Sequence, residues 1–288
     1  MKTVVIVGVG LIGGSFALAL RKAGFRGRII GVSSPKTVEA ARKRGVIDEA
    51  GSLESAVPWA DLVYLSQPIS GILTTIEDLD PLLQEGALVT DAGSTKTEIV
   101  GRASRHIRRG QFLGGHPMAG KEKRGVEEAE PELFAGRTYV LTPEGPAGME
   151  TPEAQQFVEW IRRIGGVPVV LDAAEHDRIV SFTSHLPQLA STALAATVAR
   201  RVDLAKNGRI AGPGLEDTTR LAMSSFDIWQ DILATNADHV ESALDAYISE
   251  LRDLRAKITD ARMRSEFELA SDFARRLRRR GDPPSEIT

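Results

Sequence analysis

The sequence predicts an α/β chain in which a doubly wound domain, residues 1–172, is followed by an all-α C-terminal domain, residues 173–288. Three observations carry this. Short β-branched runs alternate with helix-patterned segments up to about Asp172, the signature of a parallel sheet covered by helices on both faces. Beyond Asp172 the strand signals stop, and Ala, Leu, Arg, Asp and Glu recur at helical spacing to about Arg280. The first apolar run also ends in a cluster of glycines that opens a helix.

Taken in order, the first domain is expected to hold strands over 3–7, 28–32, 62–66, 87–91, 111–114, 138–141 and 167–171. Between them the periodicity predicts helices over 13–23, 35–44, 70–83, 95–108 and 152–164. The second domain is expected to hold helices over 174–201, 213–223, 226–261 and 262–280, with Gly208, Gly212 and Gly214 punctuating a loop and a disordered tail over 281–288. The 174–201 segment carries Leu189, Ala193, Leu194, Ala196 and Val198 on more than one flank, and Pro187 inside it predicts a kink. A helix apolar on several sides needs partners on several sides, so a homodimer through this domain is expected.

Composition narrows the function classes. With 36 Lys+Arg against 39 Asp+Glu, a formal charge of -3, no overall positive field exists to hold nucleic acid or an anionic membrane. The run from Arg275 to Arg280 reads as a solvated helix end. The absence of cysteine excludes disulfides, thiolate nucleophiles and Cys-ligated metals. The five histidines show no metal-ligand spacing, so no metal is expected. Lys2 and the apolar stretch to Leu20 imitate a secretory leader, but Gly8, Gly10, Gly13 and Gly14 divide it into a strand-forming and a helix-forming half. No other run approaches the roughly 20 apolar residues of a membrane span, so a soluble, cytoplasmic protein is expected.

Gly8-Val9-Gly10-Leu11-Ile12-Gly13 follows a predicted strand and opens a predicted helix. In that setting Gly8 permits a tight turn, Gly10 lets the backbone approach a pyrophosphate, and Gly13 lets helix and strand pack closely, which makes this a Rossmann-type dinucleotide site. An NAD-specific site usually has an acidic residue about 20 positions further on, to hold the ribose hydroxyls. Here that strand ends Gly31-Val32-Ser33-Ser34-Pro35-Lys36. Two hydroxyls at Ser33 and Ser34, with Lys36 or Arg26 for charge, suit a 2′-phosphate and point toward NADP, the alternative being a loop that takes both cofactors.

Polar clusters at strand ends are where the chemistry of such a sheet sits. Asp91-Ala92-Gly93-Ser94-Thr95-Lys96 leaves one strand; Ser94 there is either a helix N-cap, with Glu98 in the first turn, or a functional hydroxyl. Gly114-Gly115-His116-Pro117-Met118-Ala119-Gly120 leaves the next, and its rigid flanks aim the His116 imidazole, whose ordinary pKa near 6.5 suits a base for an alcohol proton. Ser184-His185-Leu186-Pro187-Gln188 and Asp217-Thr218-Thr219-Arg220 add an imidazole and a guanidinium suited to a carboxylate, each open to a structural reading as well.

Together these motifs, with Glu175-His176-Asp177, resemble the prephenate/arogenate dehydrogenase family over almost the whole chain. The resemblance implies a hydride transfer from the ring carbon bearing a hydroxyl to a nicotinamide, coupled to loss of the ring carboxylate and aromatisation, on the way to tyrosine. It implies that His116 accepts or polarises the hydroxyl proton, that Ser94 hydrogen-bonds the same oxygen, that Arg220 anchors a carboxylate, and that His185 and Gln188 line the substrate pocket. Some prephenate-preferring members carry a second His where this chain has Gln188, which tilts the expectation slightly to arogenate. Two rivals stand beside it. The β-hydroxyacid dehydrogenases share the architecture, but they use a Lys on the first long helix of the second domain, and residues 173–205 contain none. A non-catalytic NAD(P)-sensing dimer would need only the glycine turn.

Overall fold

The computed structural model describes residues 1–121 and 123–279, so the expected tail over 281–288 lies outside the described residues. β1 (Thr3–Val7) consists of five β-branched residues, all buried, as a strand covered on both faces must be. It is followed by α1 (Leu11–Lys22), β2 (Arg28–Val32), α2 (Pro35–Lys43), the two-residue β3 (Glu49–Ala50), α3 (Leu53–Ala56) and β4 (Leu62–Leu65). Then come α4 (Ile69–Leu79), β5 (Leu88–Asp91), α5 (Thr97–His106), β6 (Gln111–Pro117), β7 (Thr138–Pro143), α6 (Pro152–Arg163) and β8 (Val167–Val170).

The strands form one sheet in the order β3-β2-β1-β4-β5-β6-β7-β8. The chain reverses direction of travel across the sheet between β1 and β4, the switch point beside which dinucleotides bind in such folds. One face packs the cluster around Phe16, Tyr64 and Phe157; the other packs Ile72, Ile76 and Leu79 of α4 against Val5, Val63 and Val89. Phe16 lies flat on Tyr64 with ring centroids 4.0 Å apart.

The sheet is parallel, as expected, from β3 through β6; β7 departs from this by pairing antiparallel with β6, while β8 runs parallel to β7. A parallel neighbour needs a crossover, normally a helix, and between Pro117 and Thr138 the described residues form nothing longer than the 3₁₀ turn Val126–Glu128. β6 is also longer than its apolar run, because its pairing with β7 continues through Gly115, His116 and Pro117.

The remainder is helical: α7 (Ala173–Val180), a π turn (Ser181–His185), α8 (Leu186–Ala199), α9 (Leu204–Asn207), α10 (Pro213–Thr219), α11 (Phe226–Thr235), α12 (Ala237–Ala256) and α13 (Met263–Arg279). The interruption expected from Pro187 takes the form of this π turn. Proline lacks an N–H and crowds the carbonyl four residues back, here Thr183, and the widened turn makes room for it. The single helix expected over 226–261 is two, broken at Asn236. The chain divides into two compact units, Met1–His239 and a second beginning at Val240. In the second, Phe267, Leu269, Phe273 and Leu277 of α13 are all more than half exposed. Among the described residues no helix is long and apolar enough to cross a membrane.

Candidate active site

At the end of β1, Gly8 adopts φ +93°, and a Cβ there would lie 2.8 Å from the Gln67 amide nitrogen. A Cβ on Gly13 would lie 2.4 Å from Ser66 Oγ and 2.5 Å from the Gly8 carbonyl oxygen. Packing alone therefore requires these two glycines. Gly10 differs, because a Cβ there would meet nothing within 4 Å. The space beside Gly10 adjoins the N-terminus of α1, where no side chain caps the helix and no acidic residue occupies the first turn. The first-turn amides, including those of Leu11, Ile12 and Gly13, have no acceptor within the helix and carry its positive dipole end. These residues fit a dinucleotide pyrophosphate.

At the end of β2, Ser33 and Lys36 are exposed. Ser34 is the N-cap of α2, its Oγ accepting from Thr37 N at 3.4 Å and lying 2.9 Å from Thr37 Oγ1. The nearby Glu39 is paired with Lys43.

The ends of β5 and β6 are joined by a buried ion pair. Asp91 and Lys96 are both 0% exposed. Lys96 Nζ donates to Asp91 Oδ2 and, at 2.7 Å, to the Gly115 carbonyl; Asp91 in turn accepts from Gly93 N at 2.8 Å and Gly115 N at 3.1 Å. The two strand ends are thus pinned through side chains as well as through the sheet ladder. Burial holds the Lys96 pKa below its ordinary value, against the opposing pull of Asp91. Ser94, half-buried, lies between these pinned residues and makes no hydrogen bond with its hydroxyl among the described residues. It does not cap α5: the N-cap position belongs to Lys96, without a side-chain cap from its own segment.

The cap comes from α7. Asp177, 1% exposed, accepts from Lys96 N at 2.7 Å through Oδ1 and from Thr97 N at 2.8 Å through Oδ2. Its Oδ1 also lies 2.8 Å from His176 Nδ1, and His176 Nε2 lies 2.8 Å from His116 Nδ1. Burial works against the Asp177 carboxylate, but hydrogen bonds from His176, Thr97 and Lys96 outweigh it and hold its pKa below the usual carboxylate value. His116 sits within β6, opposite Val140, and therefore has a close polar neighbour that its glycine-flanked sequence did not suggest. Desolvation of its ring, and to a smaller extent its electrostatic interactions with His176, Lys96 and His185, hold its pKa well below 6.5. At neutral pH the ring is an unprotonated base.

His185, 1% exposed at the end of the π turn, meets Trp229 edge to face at 5.8 Å and has Nδ1 3.3 Å from Asn236 Nδ2. Asn236 Nδ2 also donates to the Asp177 carbonyl at 2.9 Å. An amide nitrogen can only donate, so His185 Nδ1 accepts and its proton resides on Nε2. Burial lowers its pKa to about 4. Gln188, 5% exposed, donates from Nε2 to the Leu221 carbonyl at 2.8 Å, and Ser191 Oγ accepts from Ala222 N at 3.2 Å. Both hold the 3₁₀ turn Arg220–Met223, at whose start Arg220 is exposed.

The chain is similar to known proteins over most of its length. Residues 16–169 match the model of the prephenate dehydrogenase nucleotide-binding domain, and residues 172–274 match that of the prephenate dehydrogenase dimerization domain. The chain belongs to the prephenate/arogenate dehydrogenase family. A prephenate dehydrogenase of Bacillus subtilis (strain 168) is 36% identical over 267 residues, covering 89% of this chain and 70% of that protein. The solved prephenate dehydrogenase of A. aeolicus, in complex with hydroxyphenyl propionate and NAD+, is 32% identical, with a TM-score of 0.87 over 96% of this chain and 98% of that one. The Synechocystis arogenate dehydrogenase, also 32% identical, gives 0.80 over 96% and 99%.

Within this family member, the residues anticipated from sequence fall into separate groups. Gly8, Gly10 and Gly13 share one turn, Ser94 and His116 follow or end adjacent strands, and His185 reaches the His116 neighbourhood through Asn236 and Asp177. Sequence reasoning assigned no role to Asp91, Lys96, His176, Asp177 or Asn236. The usable signal was the pair His176-Asp177, an imidazole followed at once by a carboxylate near the start of a helix.

Proposed function

We propose that this chain catalyses the NAD(P)-dependent oxidative decarboxylation of prephenate or arogenate, giving 4-hydroxyphenylpyruvate or tyrosine. The observation that carries the reading is the His116 ring at the end of β6, its Nδ1 2.8 Å from His176 Nε2, on the strand next to the one that Ser94 follows and at the same carboxyl end of the sheet as the open space beside Gly10. Gly10 and the first-turn amides of α1, with Leu11, Ile12 and Gly13, hold the pyrophosphate. A bound nicotinamide supplies the hydride acceptor. His116 Nε2 takes the proton of the ring hydroxyl, and Ser94 hydrogen-bonds the same oxygen, so that electron density gathers on the carbinol carbon as its hydride leaves. The ring carboxylate then departs as carbon dioxide, its bonding electrons complete the aromatic ring, and the phenolic oxygen recovers the proton that His116 held. No net proton is released. Arg220 anchors a substrate carboxylate, and His185 and Gln188 line the pocket, Gln188 in part by holding the Arg220 turn.

We assign arogenate and NADP as the preferred pair. Support comes from the absence of an acidic side chain at the end of β2, from exposed Ser33 and Lys36 and the Ser34 cap there, and from the neutral amide at Gln188. Measuring kcat/KM for both substrates with both cofactors tests this; a large advantage for prephenate or for NAD contradicts it. The division at residue 172, a cytoplasmic location and a homodimer through residues 173–288 complete the reading. The exposed apolar residues of α13 support the dimer, and sedimentation as a monomer at micromolar concentration contradicts it.

A further inference from the structure

The hydrogen bonds around His176 dictate where the protons of two rings reside. A carboxylate only accepts, so the 2.8 Å contact with Asp177 Oδ1 places a proton on His176 Nδ1. In a neutral ring, His176 Nε2 is then an acceptor. The 2.8 Å contact between that atom and His116 Nδ1 therefore requires His116 to donate, which leaves His116 Nε2 with a lone pair. Asp177 is itself held still: its oxygens receive the Lys96 and Thr97 amides, and Asn236 grips its carbonyl.

We propose that His176 and Asp177 are positioning residues that lock the His116 imidazole in its Nδ1–H tautomer, aim its Nε2 at the substrate hydroxyl, and stabilise the imidazolium formed while the proton is held. This rests on the reading of His116 as the base. An imidazole in water favours the opposite tautomer, with the proton on Nε2, and that form cannot accept the hydroxyl proton. When Nε2 takes the proton, Nδ1–H remains donated to His176, whose own Nδ1–H points at the Asp177 charge; the transient cation thus faces an anion through one ring. The same carboxylate caps α5 two and three residues after Ser94, so one side chain fixes both the base and the strand end that carries its partner hydroxyl.

The test reads the tautomers directly. In the full-length protein labelled with ¹⁵N at its five histidines, long-range ¹H–¹⁵N correlation near pH 8 should show His116 protonated at Nδ1 alone. His176→Phe should shift that ring toward Nε2–H and lower kcat by about 100-fold, with both KM values within about threefold. His176→Gln keeps an acceptor at the end of its side chain and should restore the Nδ1–H form and most of the rate. A wild-type His116 protonated on Nε2, or a folded His176→Phe with unchanged tautomer and kcat, overturns the proposal. Full activity in His116→Asn would instead remove the base itself; an inactive His116→Asn beside an unimpaired His176→Phe removes only the lock.

Discussion

At the carboxyl end of β1 the molecule presents backbone and open space, with Gly10 meeting nothing within 4 Å. At the carboxyl ends of β5 and β6 it presents interlocked side chains: Asp91, Lys96, His176 and Asp177 are each at most 1% exposed. The first region recognises by what it omits. The second holds its chemistry by hydrogen bonds that share atoms, Asp177 Oδ1 accepting from both Lys96 N and His176 Nδ1. Damage should therefore stay local in the glycine turn and spread in the polar cluster, where one broken bond leaves another buried group without a partner.

The largest expected effect is at the centre of the cluster. His116→Asn removes the base and should lower kcat by about a thousandfold, about 4 kcal/mol. A steady-state assay with either substrate checks it. Next comes the ion pair beneath: Lys96→Met leaves the Asp91 carboxylate buried without its cation and should destabilise the fold by about 3 kcal/mol in urea titration. Adding Asp91→Asn should cost less than the sum of the two single changes, because the pair is one unit; strict additivity contradicts the interlocked picture.

Acid should act on the same region. His185 titrates at about 4 in the fold against 6.5 when unfolded, so the unfolded chain binds the extra proton between those values. Its contribution is complete above pH 6.5 and is lost as the pH falls toward about 4; His116, lowered in the same direction, adds to the loss. His185 alone should reduce stability by about 3 kcal/mol across that window, with His116 adding to it, read as a falling urea midpoint, and His185→Asn should flatten the slope. The glycine turn gives the smallest effect and the cleanest contrast. Gly10→Ala should leave the melting temperature unchanged while raising the dinucleotide KM about tenfold, about 1.4 kcal/mol, whereas Gly13→Ala, forced against Ser66 and Gly8, should lower stability by about 1–2 kcal/mol.

What the sequence revealed follows the same contrast. The glycine turn was legible because all its information lies in six consecutive residues, and β1 because five β-branched residues admit little else. The reversal of β7 was not, since it depends on a connection whose lack of a crossover helix local propensity does not register. Nor was the break at Asn236, where Thr235-Asn236-Ala237 contains neither glycine nor proline and the helix yields to bonds with Asp177 and His185. That Ser94 and His116 stand at the ends of adjacent strands was legible. Their wiring was not, because it joins residues 60 and 81 positions apart, His116 to His176 and Lys96 to Asp177.

The proposed reaction depends most directly on the protonation state of one ring, and the pH dependence of kcat/KM measures it. With His116 held well below its ordinary 6.5, the rate should stay on its plateau as the pH falls through 6.5 and decline only beyond it, a limb absent from the residual activity of His116→Asn. An acid limb centred at pH 7 or above, or one that survives the substitution unchanged, would contradict a neutral His116 as the proton acceptor.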